Sequence, residues 1–226
     1  MHDRIQSFGR LRGLLARQAM VPSLLASLLA VALLLARGIR SGTTIYAFLL
    51  WNLFLAWIPY LASLWADSLH RRRPRQWWHL IIPGLLWLLF FPNAPYIITD
   101  LWHLRERAPI PMWYDIGLVA TFALTGLFLA VFSLQIMQKL VKDYVGRLVS
   151  WLFVFVALAL GGLGIYLGRF LRWNSWDLIL HPRGVLRDVA VRVTDPLSYP
   201  GAFGVTFLFA AILFICYLAL TCREPA

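Results

Sequence analysis

Six long apolar runs, at roughly 19–36, 44–65, 77–99, 113–138, 149–168 and 200–221, constrain this chain more than any other feature. A bilayer core about 30 Å thick is crossed by about 20 mostly apolar residues in a helix. In lipid every backbone N–H and C=O must be satisfied within the protein, so only helices and closed barrels cross it. None of the six runs alternates polar and apolar residues as a barrel strand does. The predicted fold is therefore all-α: a polytopic helical membrane protein, one integral membrane domain over residues 1–226. Composition agrees, since 61% of the 226 residues are hydrophobic and 14% charged, against about 45–50% and about 25% in soluble domains.

The net charge of +11 would point to nucleic acid in a soluble chain. Here the basic residues, 19 of 21 of them Arg, lie in short segments between apolar runs. They read as topology determinants, and no nucleic-acid partner is expected. With the N-terminus inside, 12 Lys and Arg fall on the inner side and 9 on the outer. The "RRRPR" cluster at 71–75 abuts two spans, where the positive-inside effect is strongest. The expected placement is a bacterial plasma membrane with both termini cytoplasmic. Arg4, Arg10, Arg12 and Arg17 precede the first run as in a signal peptide, but no A-x-A-like site follows it, so it reads as a retained span. Trp65, Trp77, Trp78 and Trp151 mark one set of span ends, and Trp102, Trp113, Trp173 and Trp176 the other, as in an aromatic belt. Cys216 and Cys222 stand about 240° apart on a helix and imply neither a disulfide nor a metal pair.

The longest loop, 173–199, contains "PRGVLRDVAVRV". A proline suits the first helical turn, and Val185, Leu186, Val189 and Val193 recur at helical spacing with Arg183, Arg187, Asp188 and Arg192 on other faces. This predicts a short amphipathic surface helix over 182–194. No internal repeat or low-complexity segment interrupts the chain.

The stretch "LLFFPNAPYIITDLWHL", Leu88 to Leu104, breaks the pattern. Pro92 and Pro95 each remove a backbone donor within an apolar span. Such a break is tolerated only where protein or a water-filled cavity satisfies the freed groups. One reading is a kinked helix in which Asn93 caps its own loosened carbonyls; the other is a helix opened to line a polar pocket. Alternating threading favours a shared location: spans 2 and 4 begin on the face where spans 3 and 5 end. Asn52, Asn93, Asp100, His103, Asp115, Arg169, Arg172, Asn174 and Asp177 thereby fall in one half of the membrane.

Ionisable groups at such depth pair with one another or line a pathway. Arg169 and Arg172 share a helix face if span 5 continues through both, and Arg169 is placed to neutralise Asp115 or Asp100. An interhelical ion-pair lock is one outcome. The other leaves Arg172 to hold an anionic group bidentately, with His103 and Asp100 as a carboxylate-oriented general base. On that second outcome Asp100, His103 and Asp115 are candidate catalytic residues. Asn52, Asn93, Arg169, Arg172, Asn174 and Asp177 are then candidate substrate-binding residues. A metal set of His103, Asp100, Asp115, Asp177 and His181 lacks any recognised ligand motif, so no metal or cofactor is expected. Gly164 and Gly168 have the small-x-x-x-small spacing of close helix contacts, either within the chain or in a homodimer.

The motifs "FPNAPYIITDLWHL", "WYD", "GIYLGRFLRWNSWDL" and "WNLFLAWIPY" together resemble the domain-of-unknown-function 1361 family of bacterial integral membrane proteins, over about residues 40–220. The resemblance implies a multi-spanning bacterial plasma-membrane protein and carries no established activity, substrate or catalytic residue. Three roles fit the residues themselves. They are a structural or accessory membrane protein, a membrane enzyme or binding protein for a lipid-linked or anionic amphiphile, and a small-solute transporter. Membrane lipids are the expected surroundings of all three. Crowding of polar groups into one half argues against alternating access, which places its site near the midplane.

Overall fold

The computed structural model describes residues 2–74 and 76–221, with side chains described from Met20 onward. The readings that rest on the side chains of Arg4, Arg10, Arg12 and Arg17, and on Arg75, Cys222 and Arg223, lie outside what is described. The chain is helical: α1 (His2–Ser41), α2 (Phe48–Arg72), α3 (Ile81–Phe90), α4 (Asn93–Tyr96), α5 (Met112–Val145), α6 (Arg147–Phe170), α7 (Asp177–Leu180), α8 (Pro182–Thr194) and α9 (Pro200–Thr221). 3-10 turns at Trp77–Leu80 and Ile97–His103 flank α3 and α4. Among the described residues no strand forms; one isolated bridge joins Arg107 to Ile110.

Six segments are long and apolar enough to cross a membrane: Met20–Ser41, Phe48–Arg72, Trp77–His103, Met112–Val145, Arg147–Phe170 and Pro200–Thr221. This is the predicted polytopic all-α fold, with corrected ends. The first span runs on to Ser41, so Arg37 lies within it and not in a loop. The second starts at Phe48 and ends at Arg72, which places Arg71 and Arg72 in its last turn. The surface helix occupies Pro182–Thr194 with Pro182 in its first turn.

Helix α5 is the hub. At 34 residues it is about 51 Å long, and it packs against α1, α2, α4, α6 and α9. Leu118, Phe122, Leu129 and Leu134 on α5 are fully buried, alongside Leu49 and Tyr60 of α2, Trp87 of α3 and Phe91 beyond it. Without a hydrophobic difference between helix and lipid, close packing holds such a bundle together, and small residues permit it. At Gly126 an added Cβ would run into the Ala94 carbonyl, so this glycine admits the α4 backbone against α5. Gly146 ends α5 at φ 87°, a left-handed conformation costly for other residues, and α6 starts at the next residue.

Polar contacts also fasten the bundle. The Trp87 indole donates to Ser133 Oγ at 3.1 Å, Gln135 donates to Thr221 at 3.0 Å, and the Tyr217 hydroxyl donates to Gln138. At the end carrying Arg71 and Lys142, His70 sits 2.9 Å from the Tyr144 hydroxyl and 3.3 Å from Asp143.

Candidate functional site

The proline-rich stretch breaks span 3 into three pieces. Helix α3 stops at Phe90, α4 occupies Asn93–Tyr96, and a 3-10 segment carries Ile97–His103. Pro92 and Pro95 cannot donate, which ends the regular ladder. Asn93 does cap a loosened carbonyl, donating from Nδ2 to Phe90 O at 3.2 Å, but the same nitrogen also donates to Ser175 Oγ at 2.7 Å. The capping reading of the stretch thus holds, while the space it borders is mostly apolar and not a polar pocket. Its asparagine repairs the kink and joins it to the segment after α6.

Asp100 hangs from the 3-10 segment and is 1% exposed. The Asn52 amide of α2 donates to its Oδ2 at 2.7 Å. Arg169 Nη1 stands 3.8 Å from its Oδ1, with the guanidinium 5.7 Å from the Trp102 ring centre. Of the two partners anticipated for Arg169, Asp100 is the one it meets. His103 Nδ1 is 3.7 Å from Asp100 Oδ1, too far for the hydrogen bond a carboxylate-oriented base needs. Its ring rests 5.2 Å from that of Phe48.

Asp115 is elsewhere engaged. Its two carboxylate oxygens accept from Arg37 Nε at 2.7 Å and Nη2 at 3.1 Å. Arg37 Nη1 donates to Thr43 at 3.1 Å, and its guanidinium lies 4.6 Å from the Tyr46 ring centre. Sequence reasoning missed Arg37 because the apolar run was ended at residue 36. Tyr46, between α1 and α2, has its phenol pushed up by burial and by the Asp115 charge. Its hydroxyl donates to the His103 carbonyl at 3.4 Å. Arg107 packs 5.4 Å from the same ring, with its Nη1 buried and unpartnered among the described residues.

Arg172 corrects a further expectation. Helix α6 ends at Phe170 and Arg172 adopts φ 60°, so Arg169 and Arg172 do not share a helix face. The turn is closed by the Leu171 and Trp173 amides, which both donate to the Leu167 carbonyl, at 3.2 and 3.1 Å. Arg172 is exposed. Asn174 and Asp177 open α7: the Asn174 backbone N–H donates to Asp177 Oδ2 at 2.7 Å and its amide to the same oxygen at 3.3 Å. That backbone donor, with further help from His181 at 3.5 Å, holds the Asp177 carboxyl below the usual range. Among the described residues no three His, Cys, Asp or Glu side chains gather as a metal site.

Between α2, α3–α4, α6 and the α7–α8 segment lies a cleft of about 410 Å³. Its walls are mostly apolar: Leu55, Leu88, Leu89, Leu160, Leu163, Leu167, Leu178, Val185, Leu186 and Val189. Asn52, Asn93, Asn174 and Ser175 supply the polar groups, Trp51, Tyr96 and Trp173 the aromatic ones, and no Lys or Arg lines it. Gly164 and Gly168 shape the wall. An added Cβ at Gly164 would lie 2.5 Å from Pro92, and one at Gly168 would lie 3.2 Å from the Tyr96 ring. The glycine pair therefore serves packing of the bent span within the chain.

Helix α8 is pinned over this cleft at its edge. The Trp173 indole donates to Asp188 at 2.7 Å. Arg192 donates to the Tyr166 hydroxyl at 3.3 Å and to the Asp188 carbonyl at 2.7 Å, and lies 5.0 Å from the Tyr199 ring centre. The Tyr166 hydroxyl holds the Arg192 guanidinium further up in pKa. Ser175 and Arg37 are the partners that sequence reasoning overlooked. Ser175 stood inside the quoted "GRFLRWNSWD" motif, yet nothing in its spacing names Asn93, 82 residues away.

Fold and site together define a six-span helical membrane protein whose broken third span borders a mostly apolar cleft with three asparagines in its lining. The sequence model of a family described as Protein of unknown function (DUF1361) matches residues 51–216, and the chain belongs to that family. The matched segment includes every cleft residue, together with Asp100, Asp115 and Arg169, while Arg37 and Tyr46 precede it. Neither curated proteins nor solved structures gave a match to the chain.

Proposed function

We propose that this protein binds a single-chain or lipid-linked amphiphile, its apolar tail in the cleft and its head at Asn52, Asn93, Asn174 and Ser175. The observation that carries this reading is the cleft itself: a leucine- and valine-lined space with a few Asn and Ser side chains among its walls. Ligand sites are typically apolar concavities with a small number of placed polar groups. The surface helix supports the same reading, since its Val185, Leu186 and Val189 line the cleft.

Binding, not bond cleavage, is the role these residues favour. Asp100 and Asp115, the two carboxylates considered for catalysis, are both held by protein partners. The Arg37–Asp115 pair acts as an accessory structural lock within the same bundle end.

The test is native mass spectrometry of the purified chain. Wild type is expected to retain a co-purifying amphiphile. Leu163→Trp on α6, or Leu178→Trp on the opposite wall, is expected to lose it with helicity unchanged. Equal retention by wild type and both variants would sink the reading.

We further propose a bacterial plasma-membrane setting with the cleft in the outer half and both termini cytoplasmic. Arg71, Arg72, Lys139, Lys142 and Arg147 gather at the opposite end of the bundle, and Arg37 is withdrawn from the outer loops by its burial. With Arg37 set aside, 12 Lys and Arg fall on the inner side and 8 on the outer, and such an excess favours this orientation. In a variant with Cys216 and Cys222 replaced by Ser, Glu106→Cys and Asn174→Cys should react with an impermeant thiol reagent outside intact cells, and Arg147→Cys should not. The reverse pattern would invert the orientation.

A further inference from the structure

We infer that the cleft selects an uncharged, hydroxyl-bearing headgroup, such as a glycosyl or glyceryl head, over an anionic one; this rests on the amphiphile reading above. The inference comes from the orientation of three amides. Asn52 Nδ2 faces the Asp100 carboxylate at 2.7 Å, Asn93 Nδ2 faces the Phe90 carbonyl at 3.2 Å, and Asn174 Nδ2 faces the Asp177 carboxylate at 3.3 Å. Amide nitrogen and oxygen are ordinarily hard to tell apart and are assigned from their partners. Here all three partners accept only: an ionised carboxylate and a carbonyl have no hydrogen to give. The assignment follows from that chemistry: each nitrogen gives a hydrogen to the protein, and Asn93 Nδ2 gives both, its second to Ser175 Oγ at 2.7 Å.

What remains for a ligand is one N–H each on Asn52 and Asn174, and three carbonyl oxygens. Among the described residues none of the three oxygens meets a protein donor, and those of Asn52 and Asn93 are not sealed from open space. Ser175 adds one hydroxyl, whose oxygen already accepts from Asn93 and whose hydrogen can be given. The polar lining therefore offers neutral acceptors and neutral donors side by side, and it holds no cation. A phosphate or carboxylate head would bring a charge that no cation in the lining pairs and would leave the three carbonyl oxygens without donors, a costly arrangement in a partly dry site. A hydroxyl-rich head gives hydrogen bonds to each. The nearby aromatic faces, Trp51 edge-on to Trp176 at 6.5 Å and Trp173 within the lining, suit the C–H faces of a sugar or glycerol.

The arginines do not reverse this balance. Arg169 is drawn to the Asp100 carboxylate and to Trp102, and Arg172 is exposed outside the lining. An anionic head, the class expected from those two arginines, thus lacks a guanidinium in the cleft.

The experiment titrates the purified full chain with four amphiphiles of equal chain length: an alkyl glucoside, a monoacylglycerol, a lysophosphatidic acid and an alkylamine. Complexes are counted by native mass spectrometry. The glucosyl and glyceryl heads are expected to bind about tenfold tighter than the phosphate head, the effect of one to three net hydrogen bonds. Asn93→Ala should weaken the glucoside several-fold and leave the phosphate amphiphile unchanged. Should that variant fail to fold, Asn174→Ala, at an exposed turn, should weaken the glucoside more than the phosphate amphiphile. Equal or tighter binding of the phosphate or ammonium head overturns the head assignment and leaves the amphiphile reading standing. Binding of none of the four overturns both.

Discussion

Arg37 and Asp115 meet through two parallel hydrogen bonds, 2.7 and 3.1 Å long, that tie the end of the first span to the start of the fourth. Both side chains are almost wholly buried, 2% and 1% exposed. A guanidinium matched to a carboxylate in this two-point geometry is among the stronger contacts a protein makes. Removing one partner leaves the other charge buried alone.

The first prediction follows directly. Arg37→Gln or Asp115→Asn should each destabilise the detergent-solubilised protein by about 3–5 kcal/mol, whereas the apolar double variant Arg37→Met/Asp115→Leu should cost less than either single change. Thermal or denaturant unfolding monitored by circular dichroism reads both. Singles that melt with wild type would show that the pair is not a lock.

Asp100 and Arg172 should behave oppositely to one another. Asp100→Asn takes away the carboxylate beside Arg169 and is expected to cost about 1–3 kcal/mol. Arg172→Gln alters an exposed side chain and should shift stability by no more than about 0.5 kcal/mol. The same melting assay decides. A large loss from Arg172→Gln would mean that this arginine holds something in the native bundle.

Two glycines make a matched pair. At Gly164 a new methyl group would lie 2.5 Å from Pro92, while at Gly117 nothing stands within 4 Å. Gly164→Ala should destabilise by about 1–3 kcal/mol through overpacking. Gly117→Ala should be neutral or stabilise by up to about 1 kcal/mol through helix propensity. Equal effects at the two sites would contradict the close approach of α6 to the bent span.

Asp177 gives a dependence on pH. Its carboxyl is held low by the Asn174 backbone N–H, with His181 adding to the effect. A depressed folded value means that this contribution is complete above the unfolded carboxyl pKa, about 3.9, and is lost as pH falls through the lower folded value. The Asn174 amide should therefore lose hydrogen-exchange protection, corrected for intrinsic rate, only below about pH 4. Asp177→Asn should abolish the step. Unchanged protection across that range would show that the carboxylate does not close this turn.

Much of this architecture was legible in the sequence, for reasons of length and period. Twenty-odd apolar residues have few alternatives in a bilayer, and the 3.6-residue spacing of Val185, Leu186 and Val189 located the surface helix to the residue. Counting crossings put Asn52, Asn93, Asp100 and the segment after α6 in one half of the membrane, without saying which of them would touch. Partner choice was not legible. Arg37 looked like a loop charge because the apolar run gives out several residues before the helix does. Arg172 looked like a helical neighbour of Arg169 because nothing in "GRFLRWNSWD" marks the left-handed turn that separates them. Spacing says which residues share a helix only while the helix lasts.

The most direct test of the central claim is photo-crosslinking in nanodiscs with an amphiphile carrying a diazirine along its chain, followed by peptide mapping. The account predicts adducts concentrated on Leu160, Leu163 and Leu167 of α6 and on Leu88 and Leu89 of α3, reduced by Leu163→Trp. Adducts spread evenly over lipid-facing positions such as Phe207 and Leu25, with none enriched in the cleft, would contradict it.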